Sequence, residues 1–190
     1  MNNLKKGFTL IELLIVIAIL AILSVAVVLV LNPAELIKQA RDSTRISDLS
    51  AINSAIALYL VDVATPYFGS ATTACVTTST ATFATTTTAL NPWASGAAQF
   101  VNTSSSVTGG GWVTVNFGAI SAGSPIAKLP IDPVNSAAYW YGYACNGLNY
   151  KLATVFESTK YSSATTGYMR NSYDGGTSNG FYEVGNSLVL

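Results

Sequence analysis

The feature that most constrains this chain is an apolar run at residues 8–31, which contains one charged side chain, Glu12. The run is 24 residues long, and a helix that spans a bilayer needs about 20 apolar residues. A lone carboxylate inside such a helix costs about 2.5–3.5 kcal/mol on insertion scales. A helix that served only as an anchor would carry Leu or Val at this position. Glu12 therefore requires a function and a partner.

Two lysines before the run make a secretory signal peptide the first alternative. The apolar part of such a peptide is about 7–15 residues long and ends at a small-x-small cleavage site. Here the run continues to Leu31 without such a site. We expect the basic end to stay in the cytoplasm and the rest of the chain to lie outside. A simple signal anchor explains the length and the lysines, but not Gly7-Phe8 or Glu12.

The segment KKGFTLIELLIVIAILAIL resembles the class III leader of type IV prepilins and of the pseudopilins of type II secretion. The resemblance implies cleavage between Gly7 and Phe8 by a prepilin peptidase, and N-methylation of Phe8. It implies a single-pass inner or cytoplasmic membrane protein that later enters an extracellular or periplasmic filament. The implied partners are other pilin subunits, the peptidase and methyltransferase, and a pilus or secretion assembly platform.

Cleavage after Gly7 would create an α-amine on Phe8, about one helical turn before Glu12. In a staggered filament core we expect the Glu12 carboxylate to neutralise the Phe8 amine of a neighbouring subunit. Breaking a buried ion pair by removing one partner is costly, so such a pair selects one register. The alternative is a Glu12 that is unpaired and merely tolerated.

A second helix is predicted at residues 32–63, because Asn32 is a capping residue and Pro33 and Glu35 suit the first turn. Pro33 is also the expected bend, within one kinked helix or between two pieces. The apolar residues that recur at helical spacing are Leu36, Ala40, Leu49, Ile52, Ile56, Leu60 and Val63. The charged residues expected mostly elsewhere on the wheel are Lys38, Arg41, Asp42, Arg45 and Asp48.

The next part of the chain, residues 63–127, has no charged residue and is rich in Ser and Thr at 70–88 and 103–108. A groove for phosphates or acidic substrates depends on Lys and Arg, so none is expected there. Threonine with scattered aromatic residues suits half-exposed strands or a surface loop. Such tracts also carry O-linked sugars, and Asn102 begins a lone N-x-[ST] sequon, but plain strand and loop is the favoured interpretation.

The last third of the chain predicts a small antiparallel sheet. The predicted strands are 112–117, then 139–145 and 148–156 around an Asn146-Gly147 turn, then 181–184 and 187–190 as a closing hairpin. On the second strand of the main hairpin, Tyr150 and Leu152 alternate with Lys151 and Ala153, as in a sheet that covers a helix. The LPIDP sequence at 129–133 resembles the entry to the sheet in pseudopilins and many pilins.

These predictions define an α+β fold in which a long N-terminal helix, transmembrane and then amphipathic, packs on a small antiparallel sheet. The predicted segments are a cleaved leader at 1–7, a membrane or filament-core helix at 8–31, an amphipathic helix at 32–63, and a β-rich head with a Thr/Ser-rich insert at 64–190.

Cys75 and Cys145 are the two cysteines, and the predicted topology places both where disulfides persist. A bridge between them would close a loop of about 70 residues and contribute about 4 kcal/mol in the chain-entropy model. Two free buried thiols are the alternative. Many pilins instead enclose a loop near the C-terminus, so the receptor-binding role of that loop is not carried over.

A turn-rich loop at 171–180 contains Asp174 and Asn179, which are weak calcium candidates. Some pseudopilins bind calcium in a C-terminal loop, and carboxylate and carbonyl oxygens are its usual ligands. The loop has one carboxylate and does not match the EF-hand spacing, and turn chemistry alone explains its Gly and Asn residues. No other cofactor is expected.

Catalysis and direct nucleic-acid binding have little support. The chain has no histidine, and the acids after the long helix, Asp132, Glu157, Asp174 and Glu183, are widely spaced. Without the two leader lysines, seven basic residues face nine acids. The leading interpretation is a structural subunit of a type IV pilus. The alternatives are a type II secretion pseudopilin and, from another class, a membrane-anchored adhesin or binding module that does not polymerise.

Overall fold

The structure is a computed structural model that describes residues 7–69, 75, 81–86, 99–162, 174–176 and 180–190. The chain divides into two compact units, Met1–Ile37 and Lys38–Leu190. The predicted segment boundaries stay predictions, and the division between the units falls inside the segment predicted at 32–63. From here on, the word head means the whole second unit, Lys38–Leu190, which includes most of the second helix.

Two helices form the N-terminal third of the chain. Helix α1 covers Leu10–Leu31 and helix α2 covers Pro33–Asp62. Between them Asn32 has φ 39° and ψ 74°, in the left-handed region that Asn adopts more readily than most residues. The Asn32 carbonyl accepts the backbone N–H groups of Glu35, at 3.0 Å, and Leu36, at 3.3 Å. The predicted break is therefore present as two helices, and Pro33 is the first residue of the second.

The buried face of α2 begins at Asp42 and Arg45 and continues through Leu49, Ile52, Ala55, Ile56 and Tyr59. Leu36 and Ala40, which were predicted on this face, are exposed. The expectation that the charged residues lie mostly elsewhere on the wheel is wrong for Asp42 and Arg45. Their charges are satisfied by partners in the head, which is why they are buried.

Five strands form one sheet in the order β2-β1-β3-β4-β5. The strands are β1 (Ala81–Ala84), β2 (Gln99–Val101), β3 (Tyr141–Asn146), β4 (Asn149–Thr154) and β5 (Tyr182–Gly185). Three pairings are antiparallel, but β1 and β2 are parallel. The α+β class with a small sheet is confirmed, and the sheet is mixed rather than wholly antiparallel. A short helix, α3, covers Thr159–Ser162.

Both faces of the central strands are buried. Tyr141, Tyr143 and Leu152 belong to the core that also contains the apolar residues of α2. On the other face, Trp140, Ala144, Ala153 and Phe181 form a second cluster with Ala84. The alternation expected of a sheet with one covered face is therefore absent from β4, and Lys151 is fully buried. A strand that is buried on both faces is apolar along most of its length.

The main hairpin is present, with its turn displaced by one residue from the prediction. Asn146 pairs with Asn149, so the turn residues are Gly147 and Leu148. Gly147 has φ 58°, and a positive φ at the first turn position is the conformation that favours glycine there.

Two predicted strands are wrong. Residues 112–117 form an irregular segment, because Trp112 and Phe117 donate their N–H groups to Ser104 and Val107 of the preceding loop and not to the sheet. Their side chains are still fully buried. The closing hairpin is also absent: β5 pairs with β4, and residues 187–190 form no strand.

Candidate functional site

The N-terminal end of α1 is capped by Thr9. Thr9 has extended backbone angles, and its hydroxyl accepts the backbone N–H of Glu12 at 3.3 Å. Helix geometry therefore begins at Leu10, and Gly7 and Phe8 lie before it. The Phe8 side chain is 86% exposed, and a Cβ built at Gly7 would meet no atom within 4 Å. The predicted cleavage position thus lies before the helix, and Gly7 and Phe8 are exposed with respect to the described residues.

Glu12 is the third residue of α1, three positions after its cap. Thr9-x-x-Glu12 is the spacing of a capping box, and the positive end of the helix dipole favours a carboxylate in the first turn. The cost of Glu12 is therefore lower than the mid-bilayer figure suggests. Within the described residues the Glu12 carboxylate has no ion pair. The local geometry explains why a carboxylate is tolerated at this position, and the described residues supply no cation for its charge.

Every side chain of α1 whose burial the structure describes is exposed. The stretch Leu10–Val28 is long and apolar enough to cross a membrane, judged by length and composition. So large an exposed apolar surface has to be covered by lipid or by other protein.

In the head, the LPIDP motif supplies one member of a buried charge cluster. Asp132 accepts two hydrogen bonds from the Arg45 guanidinium, at 2.6 and 2.9 Å, and Asp42 accepts a third at 2.8 Å. All three side chains are fully buried. Asp132 also accepts the backbone N–H groups of Val134 and Asn135. The cluster therefore ties α2 to the loop that precedes β3.

Glu157 and Arg41 complete the charge cluster. Glu157 forms an ion pair with Arg45 at 2.7 Å and a two-bond contact with Arg41 at 2.5 and 2.9 Å. Burial alone would raise the pKa of Glu157, but the hydrogen bonds and charges of Arg41 and Arg45 hold that pKa below its ordinary value. Burial alone would lower the pKa of Arg45, but its three carboxylate partners, Asp132 first, raise it.

The cluster has one more carboxylate than guanidinium groups, and backbone donors satisfy the excess. Asp42 accepts the N–H groups of Glu157, at 3.0 Å, and Ser158, at 2.8 Å. Three distant parts of the chain are thereby joined: α2, the LPIDP loop and the segment after β4. A cluster in which every charge is paired in this way stabilises a fold but has no open position for a substrate.

A second buried ion pair lies on the sheet face away from α2. Lys151 and Glu183 are both fully buried, their charged atoms are 2.8 Å apart, and the Lys151 ammonium also donates to the Leu188 carbonyl. The pair joins β4 to β5 beside the second apolar cluster, because Lys151 is opposite Ala144 in the sheet. Lys151 therefore balances the charge of Glu183 within the same chain.

The calcium candidates stay a prediction. Asp174 already accepts the backbone N–H groups of Gly176, at 2.9 Å, and Glu183, at 2.6 Å. Burial raises the pKa of Asp174 above its ordinary value. Asn179 lies outside the described residues. Within the part of the chain that is described, no group of three or more His, Cys, Asp or Glu side chains could hold a metal ion.

The disulfide Cys75–Cys145 is present, with 5.4 Å between the two Cα atoms. Both cysteines are buried, and Cys145 lies in β3, at the centre of the sheet. The bridge fixes the charge-free insert to the central hairpin. Residues 70–74, 76–80 and 87–98 of this charge-free region lie outside the described residues.

The sequon residue Asn102 is engaged in local structure. Its amide nitrogen donates to the Gly111 carbonyl at 2.9 Å, and its oxygen accepts the N–H of Ser104. These bonds give Asn102 a role in shaping the loop, and a sugar on this nitrogen would displace one of them.

Sequence reasoning missed most of the charge cluster. The LPIDP motif contains Asp132 but indicates no partner for it. The sequence pattern places Asp42 and Arg45 away from the apolar face of α2, and it leaves Glu157 among widely spaced acids. A signal was available in the spacing. Counting back from Leu49 in steps of four and three residues reaches Arg45 and Asp42, which continues the buried face of α2.

The fold and the exposed N-terminal helix define a class: a small α+β head in a chain that begins with a helix suited to a membrane or to a protein polymer. Residues 2–28 match the family model described as the prokaryotic N-terminal methylation motif. This match supports a type IV pilin or pseudopilin, and the leader motif implies processing by a prepilin peptidase and polymerisation. Searches of curated proteins and of solved structures find no matching protein.

Proposed function

We propose that this chain is a structural subunit of a type IV pilus filament. Prepilin peptidase cleaves it between Gly7 and Phe8, the new Phe8 terminus is N-methylated, and the subunit assembles through α1. Before assembly it is a single-pass membrane protein with a cytoplasmic N-terminus, and afterwards it lies in an extracellular filament. Its partners are other subunits, the peptidase and methyltransferase, and the assembly platform. Its role is structural and not enzymatic.

The observation that carries this proposal is the Glu12 carboxylate at the start of an exposed apolar helix. The match to the methylation motif supports a new amine at Phe8, four residues before it. The Phe8 amine would lie just before α1 and the Glu12 carboxylate lies in its first turn, so in a staggered array each would face the next copy. The buried acids Asp132 and Glu183 have cations in their own chain, whereas Glu12 has no ion pair among the described residues. We infer that its carboxylate is left for another subunit.

A type II secretion pseudopilin remains the nearest alternative, because both types of filament use the same leader. The LPIDP motif fits either, since Asp132 stabilises the head in both cases. A membrane-anchored adhesin that never polymerises is the alternative from another class. In that case Glu12 would serve only as the third residue of a capping box.

Substitutions at Glu12 separate assembly from capping. Glu12→Gln keeps a capping side chain but removes the charge, and Glu12→Asp keeps the charge on a shorter side chain. We expect electron microscopy to find no filaments with Glu12→Gln and a reduced number with Glu12→Asp. Filaments in normal number with Glu12→Gln would show that the charge is not used in assembly.

Mass spectrometry tests the processing step independently. The extracellular protein should begin at Phe8 and carry one N-methyl group. Retention of Met1 in the extracellular protein would contradict the prepilin assignment. Electron microscopy of native cells then distinguishes the two filament types, since a pilus is a long surface fibre and a pseudopilus is a short periplasmic one.

A further inference from the structure

The head contains an open cavity of about 670 Å³ between the C-terminal part of α2 and the loop before the 3₁₀ turn Phe117–Ala119. This volume lies within the range of about 300–1,000 Å³ that is usual for small-molecule sites. The cavity belongs entirely to the head and has no part in the assembly proposed above. Its walls differ in chemistry, and together they define a class of ligand.

Two tyrosines form the first wall. The Tyr59 hydroxyl donates to the Tyr67 carbonyl at 3.1 Å and accepts the Tyr67 N–H at 3.0 Å, so it holds the backbone of Tyr67 in place. A Cβ at Gly69 would overlap the Tyr67 ring, so the absence of a side chain there lets the ring lie close to the backbone. Tyr67 is nevertheless 49% exposed. The result is a positioned aromatic ring that is open to solvent.

Hydrogen-bonding groups form the opposite wall. It contains Thr108, Gly109, Gly110 and Asn116. A bridge between Thr108 and Asn116 closes this loop, and Gly109 has φ 86°, which favours glycine. The Asn116 side-chain oxygen accepts the N–H of Gly118 at 3.1 Å. Its amide nitrogen has no partner among the described residues and is available to a ligand.

The cavity has no charged lining residue, and the chain has none between residues 63 and 127. An anion such as a phosphate ester needs cationic partners, and an organic cation needs anionic ones, so neither is matched here. A neutral sugar ring has the groups that this cavity lining can bind. It presents a face of C–H groups that packs on an aromatic ring, and a rim of hydroxyls that hydrogen-bond to amide and hydroxyl groups.

We propose that this cavity binds a neutral saccharide, with the sugar ring on Tyr67 and its hydroxyls towards Asn116 and the Thr108–Gly110 backbone. The site is independent of filament assembly. It would add glycan recognition to a subunit whose N-terminal helix serves polymerisation.

Saturation-transfer NMR on the full chain tests the proposal. The chain is kept in a phosphocholine detergent, because sugar-based detergents would compete. The probes are glucose, galactose, mannose, N-acetylglucosamine and lactose, with glucose 6-phosphate as the charged comparison. We expect transfer to at least one neutral sugar and a weaker signal for the phosphate ester. No transfer to any neutral sugar, or stronger transfer to the phosphate ester, would overturn the proposal.

Three variants locate the signal. Tyr67→Ala removes the ring and should weaken binding about tenfold, which corresponds to ~1.4 kcal/mol. Gly110→Trp should abolish binding by filling the cavity, since a Cβ at Gly110 meets only ordinary contacts with Ser106. Phe100→Ala is the matched control, because Phe100 is 47% exposed and lies in β2, away from the cavity lining. It should bind as the wild type does.

A second measurement guards against misfolding. The thermal unfolding midpoint of each variant, followed by the fluorescence of the buried Trp112 and Trp140, shows whether the head is intact. Tyr67→Phe keeps the ring and should retain binding. Equal saturation transfer in wild type, Tyr67→Ala and Gly110→Trp would place the sugar elsewhere and overturn the assignment.

Discussion

Helix α1 and the head differ in whether their carboxylates lie beside a cation. In the head, Asp42, Asp132 and Glu183 are buried, and each has an Arg or Lys partner within 3 Å in the same chain. In α1, Glu12 has its backbone N–H capped by Thr9 but no cation among the described residues. The buried carboxylates named here are paired within the head, whereas α1 has exposed apolar side chains and a carboxylate without a cation among the described residues.

The difference shows which part of the chain satisfies its own charges by internal contacts and which part does not. Buried charges are expensive unless they are paired, and the head pairs them at the junctions between its distant segments. A head whose buried charges are paired internally needs no second chain to satisfy them. Variants of the head test its side of this comparison, and the Glu12 variants proposed above test the side of α1.

The largest effect on the head should follow removal of Arg45. Arg45→Met would leave Asp42 and Asp132 buried without their cation, and breaking such pairs costs about 3–5 kcal/mol. The free energy of unfolding of the full chain in detergent, from urea titration, measures the loss. Lys38→Met is the matched control, because Lys38 is a cation on the same helix that forms no ion pair within the described residues.

Lys38→Met should change the unfolding free energy by less than about 0.5 kcal/mol, as most surface substitutions do. If Arg45→Met were equally mild, the head would not depend on internal pairing, and the contrast with α1 would disappear.

The Lys151–Glu183 pair should show a smaller effect that depends on its partner. Lys151→Met alone leaves a buried Glu183 and should destabilise the head by about 3 kcal/mol. The double variant Lys151→Met, Glu183→Leu should regain most of this loss, since an apolar pair of similar volume suits the neighbouring cluster. The coupling energy from the double-mutant cycle is the measurement. Additive effects of the two substitutions would mean that the pair is not a unit.

Acid should weaken the head through Glu157. The pKa of Glu157 is lowered in the folded state from its ordinary value of 4.5. Its contribution to stability is therefore complete above pH 4.5 and is lost as the pH falls through the lower, folded-state value. The unfolding free energy of the wild type should thus fall more steeply with acid than that of Glu157→Gln. Parallel pH profiles for the two proteins would contradict this role.

Asp48 changes the stability of the head with pH in the opposite direction to Glu157. The pH profile of the wild type therefore has to be compared with that of Glu157→Gln. Burial raises its pKa above the ordinary value, although a hydrogen bond from Tyr141 opposes the increase. Acid protonates Asp48 more readily in the folded state, so its own contribution stabilises the head as the pH falls. Only the difference between wild type and Glu157→Gln isolates the cluster.

The smallest effect should follow substitution of Arg41. Its side chain is 31% exposed, whereas that of Glu157 is 5% exposed. Exposed ion pairs contribute about 0.2–1 kcal/mol. Arg41→Gln should therefore lower the unfolding free energy by less than Arg45→Met does, and salt should reduce the difference. A loss as large as that of Arg45→Met would show that the surface pair and the buried pairs are equivalent.

The sequence predicted the features that depend on local pattern. The length of α1, the break at Pro33, the main hairpin and the α+β class all follow from periodicity and from turn and cap residues. The location of Asp132 just before the sheet follows from the short LPIDP motif at 129–133. The burial of Arg45 could not be predicted by a rule that assigns charges to the surface, because its partners lie far away in the chain.

Other details depend on tertiary contacts that no local pattern contains. Residues 112–117 alternate as a strand does, yet their hydrogen bonds go to a loop. The hairpin turn is at Gly147-Leu148, although Asn146-Gly147 is the stronger local signal. In the observed register Asn146 pairs with Asn149, and Tyr141, Tyr143 and Cys145 are on the face of the α2 core. Core packing therefore overrides the preference of two turn residues.

Burial of the disulfide also determines whether the bond forms before or after the core closes around it. Cys145 is fully enclosed and Cys75 is nearly so, which means that no oxidant can reach either sulfur once the head has closed. The bond has to form while β3 is still open to solvent, because disulfide formation needs an oxidant. Oxidation of the two sulfurs therefore comes first, and closure of the core around them comes second.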